Sequence, residues 1–144
     1  KARASNAPII WIQHETPNNE ILSFQSSGWQ LPDSLNQDQS DFYVRKTTPD
    51  SFLKTDLLQI LTNQAVTELV VCGYATEFCV DTTIRSAAAK GFNITLVSDT
   101  HTTHDKPHAP ALFIIQHHNA TLPNIKSFGV TIRTEPSDLI EFSG

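Results

Sequence analysis

The chain has 144 residues, 39% of them hydrophobic and 17% charged, a balance that suits one soluble globular domain with a real core. A formal charge of −5, with ten dispersed Lys and Arg residues, excludes the basic footprint of a nucleic-acid binder. No apolar run approaches the roughly 20 residues needed to cross a bilayer, so neither nucleic acid nor membrane is an expected partner.

In chain order, Ala7 to His14 (APIIWIQH) is a short apolar run ahead of Pro17-Asn18-Asn19 and reads as a buried strand. Residues 15–40 form a long polar loop containing Trp29 and Pro32, and a loop of that length inside a compact domain is expected to hold part of a binding site. Phe42 to Lys46 (FYVRK) predicts a second strand. Thr55 to Gln64 predicts a helix, with Leu57, Leu58, Ile60 and Leu61 on the 3.6-residue period and Thr55 or Ser51 as its cap. The continuous apolar run Glu68 to Gly73 is how a strand covered by helices on both faces looks. Glu77 to Lys90 follows as a helix with an apolar stripe of Val80, Ile84, Ala87 and Ala88, stopped by Gly91. Phe92 to Val97 predicts a strand, Lys106 to about Ala120 a helix, Gly129 to Thr134 a last strand, and Glu135 to Asp138 a short helix start. Strands alternating with helices imply βαβ units, hence an α/β fold with a mainly parallel sheet. Residues 1–144 show no interdomain linker and are expected to form a single domain.

In an open parallel sheet the binding crevice lies at the carboxyl ends of the strands, beside the helix N-termini. Cys79 falls in the first turn after the strand ending at Gly73, where the helix dipole favours a thiolate. Lys46 closes the neighbouring strand and can stabilise such a thiolate and relay a proton. The backbone N–H groups of Cys79 and Ala75 are candidate donors to an oxyanion, and Trp29, Tyr74 and Thr76 are candidate substrate contacts. Cys72, inside the apolar run, reads as core packing. Two cysteines without zinc-ligand spacing point to a reducing, cytoplasmic setting.

Several stretches in the right order, Lys46-Thr-Thr-Pro-Asp-Ser-Phe52, Leu69-Val-Val-Cys-Gly73, Thr76-Glu-Phe-Cys-Val80 and Val97-Ser-Asp99, resemble the isochorismatase-like cysteine hydrolases, which include the nicotinamidases. The resemblance runs from about Pro8 to Phe142. It implies a three-layer α/β/α fold, a Cys-Lys-Asp triad with Cys79 as nucleophile and Lys46 as the lysine, and a non-proline cis peptide between Tyr74 and Ala75. It further implies a covalent thioester-type intermediate in hydrolysis of a small amide or related C–N bond, no cofactor, and assembly into a homo-oligomer. The family's triad aspartate ends a first, central strand that has no counterpart here. One βα unit of roughly 30 residues is therefore expected ahead of Lys1. The metal-binding nicotinamidases carry Asp-x-His after their second strand, whereas this chain has Gln13-His14-Glu15 there.

Plainer alternatives accompany these assignments. Cys79 can be a small buried side chain and Lys46 a solvated strand-end lysine. His101, His104 and His108 invite a metal, but Pro107 disfavours the continuous helix that would align the last two, and no metal is expected. Asp99 reads as a cap for the turn after its strand. Vinyl-ether hydrolysis of the isochorismatase type, or a non-catalytic oligomeric scaffold of the same fold, are the rival functions.

Overall fold

Alternation in Phe42–Lys46 (β2) sends Val44 and Lys46 inward, at 1% and 4% exposure, and Tyr43 and Arg45 outward. In the computed structural model, which describes residues 1–142, β2 pairs in parallel with Ile10–His14 (β1), from Ile10 opposite Phe42 to His14 opposite Lys46. These strands belong to one compact unit, Lys1–Ile60 with the residues from Glu141; Leu61–Ile140 forms a second.

Asp41, at the entrance to β2, ties the first unit together. Its carboxylate accepts two hydrogen bonds from the Arg3 guanidinium, at 2.8 and 3.1 Å, one from the Trp11 indole at 2.8 Å and one from the Asp38 amide at 2.9 Å. Residues 15–40 contain no strand or helix and are held by side chains instead. The Arg45 guanidinium lies 3.6 Å over the Phe24 ring while donating to both oxygens of Glu15, and Phe24 meets Trp29 edge to face at 4.9 Å. Leu57–Asn63 (α1) starts two residues later than the periodicity suggests, because Thr55 spends its hydroxyl as the cap, accepting from the Leu57 amide at 3.3 Å.

The second unit is built on three parallel strands in the order β3-β4-β5: Glu68–Tyr74, Asn93–Thr102 and Ile132–Glu135. The α/β class and parallel pairing agree with the sequence, but the strands form two sheets where one was expected. Strand β3 is an edge of its sheet; Cys72, expected in the core, is exposed. A cross-strand cluster ties the three strands: Arg133 on β5 pairs with Glu68 on β3 at 2.7 Å, over Thr95 on β4, whose hydroxyl donates to the same carboxylate at 3.0 Å.

The segment that carries Cys79 opens as a π-helical turn, Thr76–Val80, and continues as Asp81–Ala89 (α2), whose Ile84, Ala87 and Ala88 are fully buried. Gly91, at φ +91°, ends it: the Gly91 amide donates to the Ala88 carbonyl and the Phe92 amide to that of Ala87, a Schellman motif. Strand β4 runs five residues past Val97 because its register jumps, pairing Val71 with Leu96 and then Gly73 with His101. Ala111–Thr121 (α3) begins later than expected. Pro107 and Pro110 keep the preceding residues out of a helix, and Asp105 caps the start by accepting from the Ala111 amide at 2.8 Å. The short helix expected at residues 135–138 is a turn. Asp99 caps that turn across the sheet, accepting from the Ser137 amide and hydroxyl at 2.9 and 2.8 Å, not the turn that follows its own strand.

Two stability outcomes follow. Gly91→Ala forces a Cβ into a left-handed backbone with open space around it, so the loss is conformational, about 1 kcal/mol by chemical denaturation. The Arg3 guanidinium, against the opposing effect of burial, holds the Asp41 carboxyl well below the usual carboxylate range. A depressed carboxyl adds stability above its unfolded value, near 4, that disappears as pH falls toward the folded value. Asp41→Asn should therefore melt at lower temperature than wild type at neutral pH, and the two melting curves should converge in acid.

Candidate active site

Lys46 is a buried ammonium at the carboxyl end of β2, and burying a cation requires acceptors. The loop Thr47-Thr48-Pro49-Asp50 folds back to supply them: Lys46 Nζ donates to the Thr48 carbonyl at 2.9 Å and the Pro49 carbonyl at 3.1 Å. The loop is braced by the Thr48 hydroxyl on the Asp50 carbonyl and by the Asp50 carboxylate on the Phe52 amide, both at 2.9 Å. Among the described residues no ion pair includes Lys46, so it keeps donor capacity for a negative charge. His14 sits opposite it in register, and burial together with the Lys46 charge lowers the His14 pKa. In the same unit Trp29 lines an open pocket with Gln13, Asp33, Gln37 and Tyr43; Gln13 donates to the Trp29 carbonyl at 3.0 Å, and the indole N–H is buried with no partner among the described residues.

The second unit presents the other candidates on one turn. Strand β3 ends at Tyr74, the Tyr74–Ala75 peptide is cis, and Ala75 is buried with its carbonyl accepting from the amides of Phe78 and Val80 at 3.1 and 3.2 Å. The five-residue reach to Val80 makes the turn π-helical. Cys79 on that turn is half-buried and Tyr74 and Phe78 are exposed. Thr76, expected against a substrate, is instead fully buried, with its hydroxyl 2.9 Å from His101 Nδ1.

The segment after β4 wraps this turn. Lys106 pairs with Glu77 at 2.8 Å, donates to His104 Nε2 at 2.9 Å and lies 5.2 Å from the Phe78 ring centre. The Thr103 hydroxyl donates to Glu77 at 2.9 Å, and His104 Nδ1 is 2.8 Å from the Tyr74 hydroxyl. Burial would raise the Glu77 pKa, but Lys106 and Thr103 lower it overall. Among the described residues no three His, Cys, Asp or Glu side chains gather as metal ligands, and His104 is engaged with Tyr74 and Lys106. No helix among them is long and apolar enough to cross a membrane.

A family model described as an isochorismatase domain matches residues 1–135. This chain belongs to the isochorismatase family. It is 36% identical over 112 residues to streptothricin hydrolase of Streptomyces noursei, covering 78% of this chain and 44% of that protein. It is 30% identical over 125 residues to the ureidoacrylate amidohydrolase RutB of Methylobacterium radiotolerans, covering 86% of this chain and 45% of the relative. A solved isochorismatase family protein superimposes with a TM-score of 0.84 at 40% identity, over 93% of this chain and 76% of the other. The chain thus spans less than half the length of these two curated relatives.

In this isochorismatase domain the sequence does not mark the Lys106–Glu77 pair or the His101–Thr76 contact. The signal for His101 and His104 is their place in a Thr-His-Thr-Thr-His stretch at the end of β4. The Lys46 charge is directly testable through its neighbour. In the wild type the His14 imidazole should titrate below the ordinary histidine value of about 6.5. In Lys46→Met its NMR-monitored midpoint should move upward, because the second cause of the depression is gone while burial remains.

Proposed function

We propose that this domain is the thiol-bearing part of a cysteine hydrolase acting on a small amide or related C–N bond. The observation that carries the proposal is the setting of Cys79, half-buried on the turn that follows β3 and leads directly into α2. A thiol on the turn that opens into a helix is positioned to attack a bound carbonyl. Lys46, with donor capacity to spare, takes the part of the cationic partner, working with the aspartate that the family pattern adds. One of the two curated relatives is named a hydrolase and the other an amidohydrolase, which agrees with this chemistry.

The reaction then runs in two halves. Cys79 gives up its proton to the carboxylate, the Lys46 ammonium stabilising the negative charge left on sulfur, and the sulfur attacks the carbonyl carbon. The backbone N–H groups of Ala75 and Cys79 receive the oxyanion. The C–N bond breaks as the nitrogen takes up a proton and leaves as amine, and the acyl group remains on sulfur as a thioester. Water adds to the thioester, the C–S bond breaks, and the acid departs with the thiol restored. No step needs a cofactor. Trp29 and Tyr74 are proposed to shape the substrate's surroundings, and two unpaired thiols suit a reducing compartment.

A panel of small amides incubated with the wild-type protein should give a trapped acyl adduct of Cys79 by mass spectrometry. Cys79→Ala should lower turnover by about a thousandfold or more with the melting curve intact. Undiminished turnover in that variant overturns the proposal. The two cysteines also separate chemistry from access. Cys72 is the more exposed, and its thiol pKa is raised by burial among the surrounding atoms, with a Thr100 hydrogen bond opposing.

A further inference from the structure

We infer that His101 is a positioning residue for the Cys79 turn, acting through the Thr76 hydroxyl, with Asn119 setting the orientation of its ring. This inference rests on the nucleophile assignment of Cys79. His101 lies on β4 at 3% exposure, and both of its ring nitrogens are engaged. Nδ1 is 2.9 Å from Thr76 Oγ1 and Nε2 is 3.0 Å from Asn119 Oδ1, while Asn119 Nδ2 donates to the Ser98 carbonyl at 3.0 Å.

The direction of every proton in this chain follows from its last member. The Ser98 carbonyl can only accept, so the Asn119 amide nitrogen faces Ser98 and its oxygen faces His101. That oxygen can only accept, so His101 Nε2 carries the proton. Burial favours the neutral ring, which leaves Nδ1 as an acceptor, and the Thr76 hydroxyl donates to it.

The chain therefore runs from the first residue of the π-turn through β4 into α3 and back to β4. Thr76 is fully buried and has no solvent to fall back on. The turn that carries Cys79 is thus pinned at its first residue by a side chain from a different strand. The register jump in β4 brings His101 opposite Gly73, three residues before Thr76. A sidewise error of about 1 Å at a reacting atom costs orders of magnitude in rate, which is why such a pin has catalytic weight.

The test uses the full chain and iodoacetamide, with peptide mapping to follow Cys79 and with Cys72 as the internal reference. In the wild type Cys79 should alkylate faster than Cys72 near neutral pH. Thr76→Val keeps the shape and deletes the hydroxyl, and should slow Cys79 alkylation by about tenfold while Cys72 changes by less than roughly twofold. Thr76→Ser restores the donor and should restore the rate. Asn119→Leu frees the ring without touching the turn and should slow Cys79 in the same sense, which keeps the test decisive if Thr76→Val does not fold. A fast wild-type Cys79 that stays equally fast in Thr76→Val, or in Asn119→Leu where Thr76→Val does not fold, overturns the inference and leaves the nucleophile standing. A wild-type Cys79 no faster than Cys72 overturns the nucleophile assignment, and the inference with it.

Discussion

A buried hydroxyl, a buried imidazole and a half-buried carboxamide satisfying one another is the constraint on which the C-terminal unit turns. Thr76, His101 and Asn119 come from the turn after β3, from β4 and from α3, so the elements between them are located by one directional chain of hydrogen bonds. Each bond made is worth about 1 kcal/mol net, but each group left unsatisfied in the interior costs about 1–3 kcal/mol. The asymmetry makes the chain more consequential when broken than when formed. It also explains why the interior beside an apolar run tolerates Thr76 and His101.

The N-terminal unit solves the opposite problem, a buried charge. Lys46 points inward because strand alternation puts it on the same side as Val44, and hydrophobicity alone would forbid it there. Two carbonyls of the following loop accept from the ammonium, and that loop is in turn held by Thr48 and Asp50. The cost of burying a cation is thus met by local backbone within four residues, and the positive charge survives as a chemical resource. Burial first and that charge second lower the proton affinity of His14.

Much of this was legible in the residues. Strand β2 and the apolar run of β3 stand where composition puts them, the Val80, Ile84, Ala87 and Ala88 stripe is the buried face, and Gly91 ends its helix. Local signals sufficed for these because each depends on side chains within a turn or two. What escaped is non-local. Asp99 reaches Ser137 and Asp105 reaches past two prolines to cap α3, partners that no spacing reveals. The exposure of Cys72 depends on what packs over its face of β3, which the run itself does not reveal. Beside Cys79, the inward turn of Thr76 depends on a histidine 25 residues away.

The parallel ladders have a kinetic corollary. Ile10 meets Phe42, Glu68 meets Asn93 and Ile94 meets Ile132, so every sheet contact closes a stretch of about 25 to 40 residues. Among the described residues no hairpin of paired strands offers a quick first contact. Chain closure has to be endured before the ladder rewards it, and this topology belongs with the slower folders, in which α2 and α3 can coil while the strands are still searching for their register.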